Sequence, residues 1–379
     1  MTIERKLGVV IGGSGLLGGS IVHYFKKKTN DEIDVLAPNS KKLSLREPDD
    51  ITAYFKRYRP DFIVNSAIAA IDSAPQLAYE TNYLGSVNLA RVALAFKIPY
   101  IHLSTAATMP SGYNITEEST LPLSAELNNY AKSKLLTELS LKHLKQTQGL
   151  DYTVLRLGIV YGKHDHKIQG FHRLLFSIMN KSMLVMLTKK DVMHSYSSSR
   201  KLPHFVHYIL ENRKEFSGET INFVDRNPVK LSQLIITIKS LLGIGVPKEI
   251  YLPYFLARFG KSFIKALISS LNHIGVEARM PAEVMFMEHF YKTQTLSSEK
   301  FNNCSYADPY ADHTVFTCLP DLIEYYLTRW EHLNLVSRYN LDFYDPKHKT
   351  EKFVDQPQEL LEETNREATV PLSDLVDKS

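Results

Sequence analysis

Gly12-Gly13-Ser14-Gly15-Leu16-Leu17-Gly18 follows the apolar run Leu7 to Ile11 and opens an apolar helical pattern. A strand that turns sharply into a helix here leaves the free N–H groups of the first helical turn facing outward, where they can hold an anion. Gly12 permits the tight turn, Gly15 lets the backbone approach a pyrophosphate, and Gly18 lets the helix pack closely on the strand. The spacing is G-x-x-G-x-x-G, not the more specific G-x-G-x-x-G, so the rest of the chain has to decide between a binding loop and an ordinary turn.

Five further signals arrive in a fixed order. Asp61 to Asn65 reads as a buried strand, followed by the small residues Ser66 and Ala67, where bulk would collide with a bound cofactor. Asn82 and Gly85 lie in a long helical stretch, Pro75 to Phe96. Pro99 leads into a mostly apolar strand, Tyr100 to Leu103, which delivers Ser104 and Thr105 at its carboxyl end. Tyr130 and Lys134 stand four apart, on one face of a helix that runs to about Lys145. Finally, Thr153 to Gly162, with Leu157 on the cofactor side, is a strand running into a loop. A second Tyr-x-x-x-Lys, Tyr24 to Lys28, ends the first helix with nothing nearby that suits chemistry. The later copy differs because Thr105 precedes it by one loop and one helix start.

In this order and spacing the chain resembles the extended short-chain dehydrogenase/reductase superfamily, which holds nucleotide-sugar epimerases, dehydratases and reductases. The stretch Val35 to Ala67, with a helix at Pro48 to Tyr58 followed by RPDFIVNSA, is most similar to the dTDP-4-dehydrorhamnose reductase branch. The resemblance covers roughly residues 5 to 165 well and 200 to 330 loosely. It implies Tyr130 as the acid/base, Lys134 as its partner, Thr105 as the orienting hydroxyl, and Asn82 as a helix-distorting or relay residue. Dehydratases of the family carry an acidic pair directly after the strand-end hydroxyl; here those positions are Ala106 and Ala107, which disfavours dehydration and departs from the rhamnose-pathway pattern.

The chemistry also follows from the residues. Hydride transfer to a carbonyl leaves an alkoxide that must be protonated as it forms, and a phenol does this well only if its anion is stabilised. An ammonium at Lys134, one helical turn away, favours the phenolate and can also reach a ribose hydroxyl, while Thr105 can donate to the substrate oxygen. Alternating strands and helices through about residue 165 imply a Rossmann-like, doubly wound parallel sheet of the α/β class, with a smaller C-terminal substrate lobe. Its cofactor contacts are expected from Gly12, Ser14, Gly15, Leu16, Leu17, Gly18, Asn39, Ser40, Lys41, Ser66, Ala67, Asn82, Tyr130, Lys134 and Leu157. After the second strand, Ile33 to Leu36, the sequence reads Ala37-Pro38-Asn39-Ser40-Lys41-Lys42 with no acid until Glu47. A carboxylate there would take the ribose hydroxyls of NAD and repel a 2′-phosphate, so NADP is favoured and NAD is second.

The expected organisation is a nucleotide-binding domain over residues 1–165, a substrate lobe over 166–345 that partly returns to the sheet, and an acidic tail over 346–379. In the lobe, helices are expected near Lys167 to Asn180, Leu202 to Asn212 and Ser232 to Leu242, with strands at Met183 to Leu187 and Glu219 to Val224. Between Tyr251 and His273, Phe255, Phe259, Phe263 and Leu267 recur at helical spacing with Arg258, Lys261 and Lys265 on another arc, which suits a lid or a helix lying on a membrane surface. That keeps a steroid- or lipid-like ketone open as substrate beside a nucleotide-linked sugar. A third alternative is a regulatory NADP-binding protein without turnover.

Net charge is +4, too small to argue for nucleic acid without a clustered face. Eight acids against three bases from Glu351 onward leave the tail at −5 and the body at +9, the composition of a solvated segment. Cys304 and Cys318 lack metal-ligand neighbours and read as reduced thiols of a cytoplasmic enzyme. His164-Asp165-His166 has no evident third ligand, so no metal is expected. No signal peptide or spanning segment is expected, and a homodimer is an open alternative.

Overall fold

In the computed structural model the described residues are 5–28, 32–69, 71, 73–179, 186–188, 191–244, 249–251, 266, 270, 291–333, 335, 353–359 and 361–362, without the side chains of 186–188 and 249–251. Short runs of apolar residues bounded by polar turns set the strands β1 (Lys6–Ile11), β2 (Ile33–Leu36), β3 (Phe62–Asn65) and β4 (Tyr100–Thr105). After β5 (Gly112–Ile115) come β6 (Tyr152–Leu157) and β7 (Ile159–Tyr161). The later strands are β8 (Met186–Thr188), β9 (Met193–His194), β10 (Tyr196–Ser198), β11 (Glu219–Phe223), β12 (Val229–Lys230), β13 (Glu249–Tyr251) and β14 (Gln294–Leu296).

Six of these strands form one sheet in the order β11-β6-β4-β3-β1-β2. Every pairing in it is parallel, with Val10 opposite Val64, Val64 opposite Ile101, and Leu103 opposite Leu155. Successive side chains point to opposite faces, so both faces are apolar and both need cover. Val10, Val64, Ile101 and Leu155 pack with Ile21 and Phe25 of α1 (Leu16–Lys28). Val9, Ile63, Tyr100 and Val154 meet Ile51 and Phe55 of α2 (Pro48–Tyr58) on the other face. The three-residue α3 (Pro75–Leu77) precedes α4 (Gly85–Phe96) and α5 (Asn129–Gln148), which add Leu89 and Leu141 to that second core. After α6 (Gly170–Met179), α7 (Leu202–Glu211) brings Phe205 and Ile209 to the first core. The short α8 (Arg213–Phe216) and α9 (Leu231–Leu241) follow.

Local chemistry fixes the helix ends. Helix α2 starts on Pro48, carries Asp49 and Asp50 in its first turn and Lys56 and Arg57 in its last, each complementing the helix dipole. Helix α5 begins where the Asn128 side chain accepts from the Ala131 N–H at 2.8 Å, and stops at Gly149 in a left-handed conformation with φ 77°. The order reverses at β1, which has β2 on one side and β3 on the other. A crevice therefore opens above the carboxyl ends of β1 and β3, where an open parallel sheet binds its ligand.

A second sheet, in the order β12-β9-β14-β5, and the parallel pairs β7-β10 and β8-β13 build the region beside that crevice. Strand β14 sits between β9 and β5, so residues near 112, 193 and 294 become neighbours.

Several boundaries differ from the sequence expectation for identifiable reasons. The stretch Thr153 to Gly162, expected as a strand running into a loop, is two strands: β6 ends before Gly158, where a Cβ would lie 2.3 Å from the Ser195 carbonyl oxygen, and β7 follows against β10. Strand β4 runs on through Ser104 and Thr105 because both stay paired with β6. The helix expected from Pro75 to Phe96 is continuous but passes through a π-helical segment, Ala78–Leu84. The helix expected at Lys167 to Asn180 starts only at Gly170, and the strand expected at Met183 to Leu187 lies at Met186–Thr188. Most of the expected amphipathic helix between Tyr251 and His273 lies outside the described residues, as does most of the tail from Glu351.

Chain contacts group the residues up to Ile323 into one unit and those from Glu324 into another. In the second unit Tyr326 and Trp330 stack at 5.3 Å, while Phe353, Val354 and Leu361 are exposed. Among the described residues no helix is long and apolar enough to cross a membrane.

Candidate active site

The glycine turn forms a bare backbone cradle at the head of α1. Gly12 adopts φ 81° and its carbonyl accepts from Gly15 N at 3.0 Å, which closes the turn. A Cβ on Gly18 would lie 2.3 Å from the Gly12 carbonyl oxygen and 2.4 Å from Ser66 Oγ, so the helix approaches the turn as only glycine allows. Ser66 is held there by donating to the Ile11 carbonyl at 2.7 Å, with Ala67 beside it. Ser14 and Gly15 stand exposed at the tip, and Leu16 and Leu17 are half-buried behind them. These residues fit the pyrophosphate of a dinucleotide: small side chains and the positive end of a helix. Leu157 ends β6, with its side chain buried in the core cluster that includes Ile21 and Phe205.

The loop after β2 is ordered by its own side chain. Asn39 Oδ1 accepts from the backbone N–H of Lys41 and of Lys42, each at 3.1 Å. The Asn39 carbonyl oxygen is thereby committed to the turn, leaving its amide, the Ser40 hydroxyl and the exposed ammonium groups of Lys41 and Lys42 facing outward.

Thr105 ends β4, and its Oγ1 accepts from Ala107 N at 3.2 Å. Its hydroxyl also hydrogen-bonds the phenol of Tyr130, at the start of α5. Burial raises the Tyr130 phenol above the ordinary tyrosine range, and the Thr105 bond pulls it partly back. Lys134 follows one turn later and is 3% exposed. Its Nζ donates to the Leu103 carbonyl at 2.8 Å, a partner the sequence did not suggest. Burial pushes Lys134 down to about 8, and the Glu138 carboxylate acts in the opposite direction.

Asn82 is buried within the π-helical segment, a distortion that often accompanies functional sites. Its Oδ1 accepts from Ala69 N at 2.7 Å and its Nδ2 donates to Ser133 Oγ at 3.3 Å. Asn82 therefore ties the loop after β3 to α5 between Tyr130 and Lys134, from within a distorted stretch of helix.

Two groupings escaped the sequence reading, which places Ser104 at the strand end but assigns it no partner. Ser104, Glu138 and Arg156 form a buried network behind Thr105; the clue was Glu138 four residues after Lys134. A cavity of about 560 Å³ opens beside Thr105 and Ala106, with Arg173, Lys292 and Gln294 in its wall. No motif marks those last three, since tertiary pairing alone brings them to Thr105. Among the described residues no group of three or more His, Cys, Asp or Glu is placed to hold a metal ion. In the His164–His166 stretch, Asp165 accepts from Lys167 N at 3.0 Å and faces His172. Cys304 and Cys318 are free thiols, both raised above the ordinary thiol range chiefly by burial.

Comparison with known proteins agrees with this layout. The chain is 22% identical over 236 residues to GDP-L-colitose synthase of Yersinia pseudotuberculosis, covering 59% of this chain and 75% of that protein. It shares its fold with a dTDP-4-dehydrorhamnose reductase of Clostridium acetobutylicum, at TM-score 0.60 and 18% identity over 85% of this chain and 99% of the other. A GDP-mannoheptose C4 reductase of Campylobacter jejuni with NADP bound superposes at TM-score 0.65 and 11% identity, over 86% of this chain and 99% of that one. Residues 9–222 match the model of the NAD dependent epimerase/dehydratase family, a span that takes in the glycine turn, Thr105, Tyr130 and Lys134. The chain belongs to that family, and it is an NAD(P)-dependent oxidoreductase of the extended short-chain dehydrogenase/reductase type.

Proposed function

We propose that the protein is an NADP-dependent reductase or epimerase that acts on a carbonyl or hydroxyl carbon of a nucleotide-linked sugar. The observation that carries this reading is the cavity beside Thr105. Arg173 and Lys292 stand in its wall, and no Asp or Glu does among the described residues, a charge balance that suits a diphosphate. When bound, NADP(H) supplies or accepts the hydride.

The chain's own groups handle the proton and the substrate oxygen. Thr105 orients the substrate oxygen, Tyr130 donates the proton as the alkoxide forms, and the Lys134 charge eases that loss. Ala106 and Ala107 offer no carboxylate next to Thr105, so elimination of water lacks a dedicated acid and base, and simple carbonyl reduction is favoured. The exposed Lys41 and Lys42, in a loop without carboxylates, support NADP over NAD.

A ketone of steroid or lipid type is the second reading, favoured by Met109, Phe171, Leu174 and Leu296 in the same wall. Purified protein mixed with NADPH and a panel of keto-sugar nucleotides, beside hydrophobic ketones, separates the two by loss of NADPH absorbance. Turnover of keto-sugar nucleotides is expected. Turnover confined to the hydrophobic ketones would overturn the first reading.

A further inference from the structure

Behind the Thr105 strand end lies a set of buried charges that the proposed chemistry does not use. Glu138 stands one turn after Lys134 on α5 and is 7% exposed. One carboxylate oxygen accepts from Ser104 Oγ, beside Thr105 on β4, and from Thr108 Oγ1 at 3.4 Å in the turn that follows. The other oxygen takes Nε and Nη2 of Arg156 on β6, at 3.1 and 2.8 Å. Arg156 is 4% exposed, and its Nη1 donates to the Glu117 carbonyl at 2.6 Å. Charge-assisted bonds of this kind are the stronger ones, and here they grip a strand end and a helix together.

We infer that Glu138, braced by Arg156, is a positioning residue that registers the Thr105 strand end against α5 and keeps the Lys134 ammonium charged for proton transfer at Tyr130. The groups around Lys134 leave this task to Glu138. On α5 itself these are Tyr130 and Glu138. Strand β4 offers the Leu103 carbonyl and His102, an imidazole held well below its ordinary range by burial first and by Lys134 second. Of the other titratable groups on elements packed against α5, Glu80 of the π-helical segment is engaged by Arg46 at 3.1 Å, Tyr83 hydrogen-bonds Ser140 at 3.5 Å, and Arg91 of α4 is exposed. Strand β6 brings Arg156, whose charge is directed onto Glu138. Burial pulls Lys134 toward the neutral amine, and the Glu138 carboxylate opposes that pull.

Lys134 is followed directly by NMR of side-chain-labelled lysine in the full chain without cofactor, its resonance assigned by loss in Lys134→Met. Glu138→Gln is expected to lower the Lys134 midpoint by about one unit or more, the effect of losing a close opposite charge. Glu138→Asp, which keeps the charge, is expected to hold the midpoint near that of the wild type. Where the Gln variant does not fold, because Arg156 is left buried and unpaired, Glu138→Gln combined with Arg156→Met is read in the same way, with the same fall expected. A midpoint unmoved in the folded Gln variant, with only the melting temperature reduced, would overturn the inference and make Glu138 a brace of the core alone. The inference rests on the proposed roles of Tyr130 and Lys134, but the titration needs no substrate, so failure to find a turned-over carbonyl is a separate outcome.

Discussion

Gln294 donates its side-chain amide to the Ala106 carbonyl at 3.0 Å, across 188 residues of chain, and also reaches the carbonyls of Met109 and Pro110, each at 3.1 Å. One side chain on β14 thus fixes the turn that follows Thr105. Gln294→Ala leaves these carbonyls short of a donor, at a cost of about 1–3 kcal/mol. The expected result is a lower melting temperature and slower turnover with NADPH affinity unchanged, read by thermal denaturation, rate assay and calorimetric titration.

Tyr130→Phe keeps the ring and loses the proton donor. Turnover should fall by roughly 10²- to 10⁴-fold, the usual effect of losing a general acid, while NADPH affinity holds. Full activity in this variant would remove Tyr130 from the mechanism.

The loop Asn39 to Lys42 offers cations and no carboxylate, so calorimetry should show NADPH binding more tightly than NADH. Lys41→Glu should reverse that order by placing a charge where it repels the 2′-phosphate and accepts from ribose hydroxyls. Equal affinity of the wild type for both cofactors would sink the assignment.

Because Lys134 is pushed down to about 8, kcat/KM for carbonyl reduction should hold near neutral pH and fall as the pH rises through about 8. Stability runs the other way. The folded value lies below the ordinary lysine value, so between the two the unfolded chain binds more protons, and this contribution to stability rises with pH. Lys134→Met removes the buried charge, and its advantage in melting temperature over the wild type should shrink across the same window. A constant difference would mean that Lys134 does not titrate there.

A methyl group at Gly18 has no room beside the Gly12 carbonyl and Ser66. Gly18→Ala should therefore push α1 off the turn and cut affinity for both NADPH and NADH at least tenfold, whereas Gly149→Ala, with open space at Cβ but a left-handed backbone, should affect stability alone. Titration and melting of the two variants make the comparison.

The cofactor half was legible because its signals are local. The glycine turn, the apolar strands and the Tyr130–Lys134 spacing are each written within a few residues, and a parallel sheet with helices on both faces follows from their alternation. The substrate side was not, because its wall is made by pairing across long separations: Gln294 meets Ala106 only after β14 enters between β9 and β5. The break at Gly158 was hidden for the same reason, since the backbone that crowds it belongs to Ser195. Lys134 shows a third limit. Its place on the helix was readable, but the Leu103 carbonyl that holds its ammonium is a main-chain atom that no residue type announces.

The position of β14 also orders events in the making of each molecule. A nascent chain that has emerged as far as Phe223 already holds all six strands of the large sheet, with the glycine turn, Thr105, Tyr130 and Lys134. It still lacks Lys292, Gln294 and Leu296, so the wall of the cavity beside Thr105 is incomplete. The sequence of the glycine turn and the large sheet is therefore complete before that of the cavity wall is. The glycine turn lies in one early stretch of the gene, whereas the cavity wall draws on early residues such as Ala106 and Arg173 and on late ones such as Lys292 and Gln294. A change in the late stretch therefore alters the wall and leaves the turn untouched.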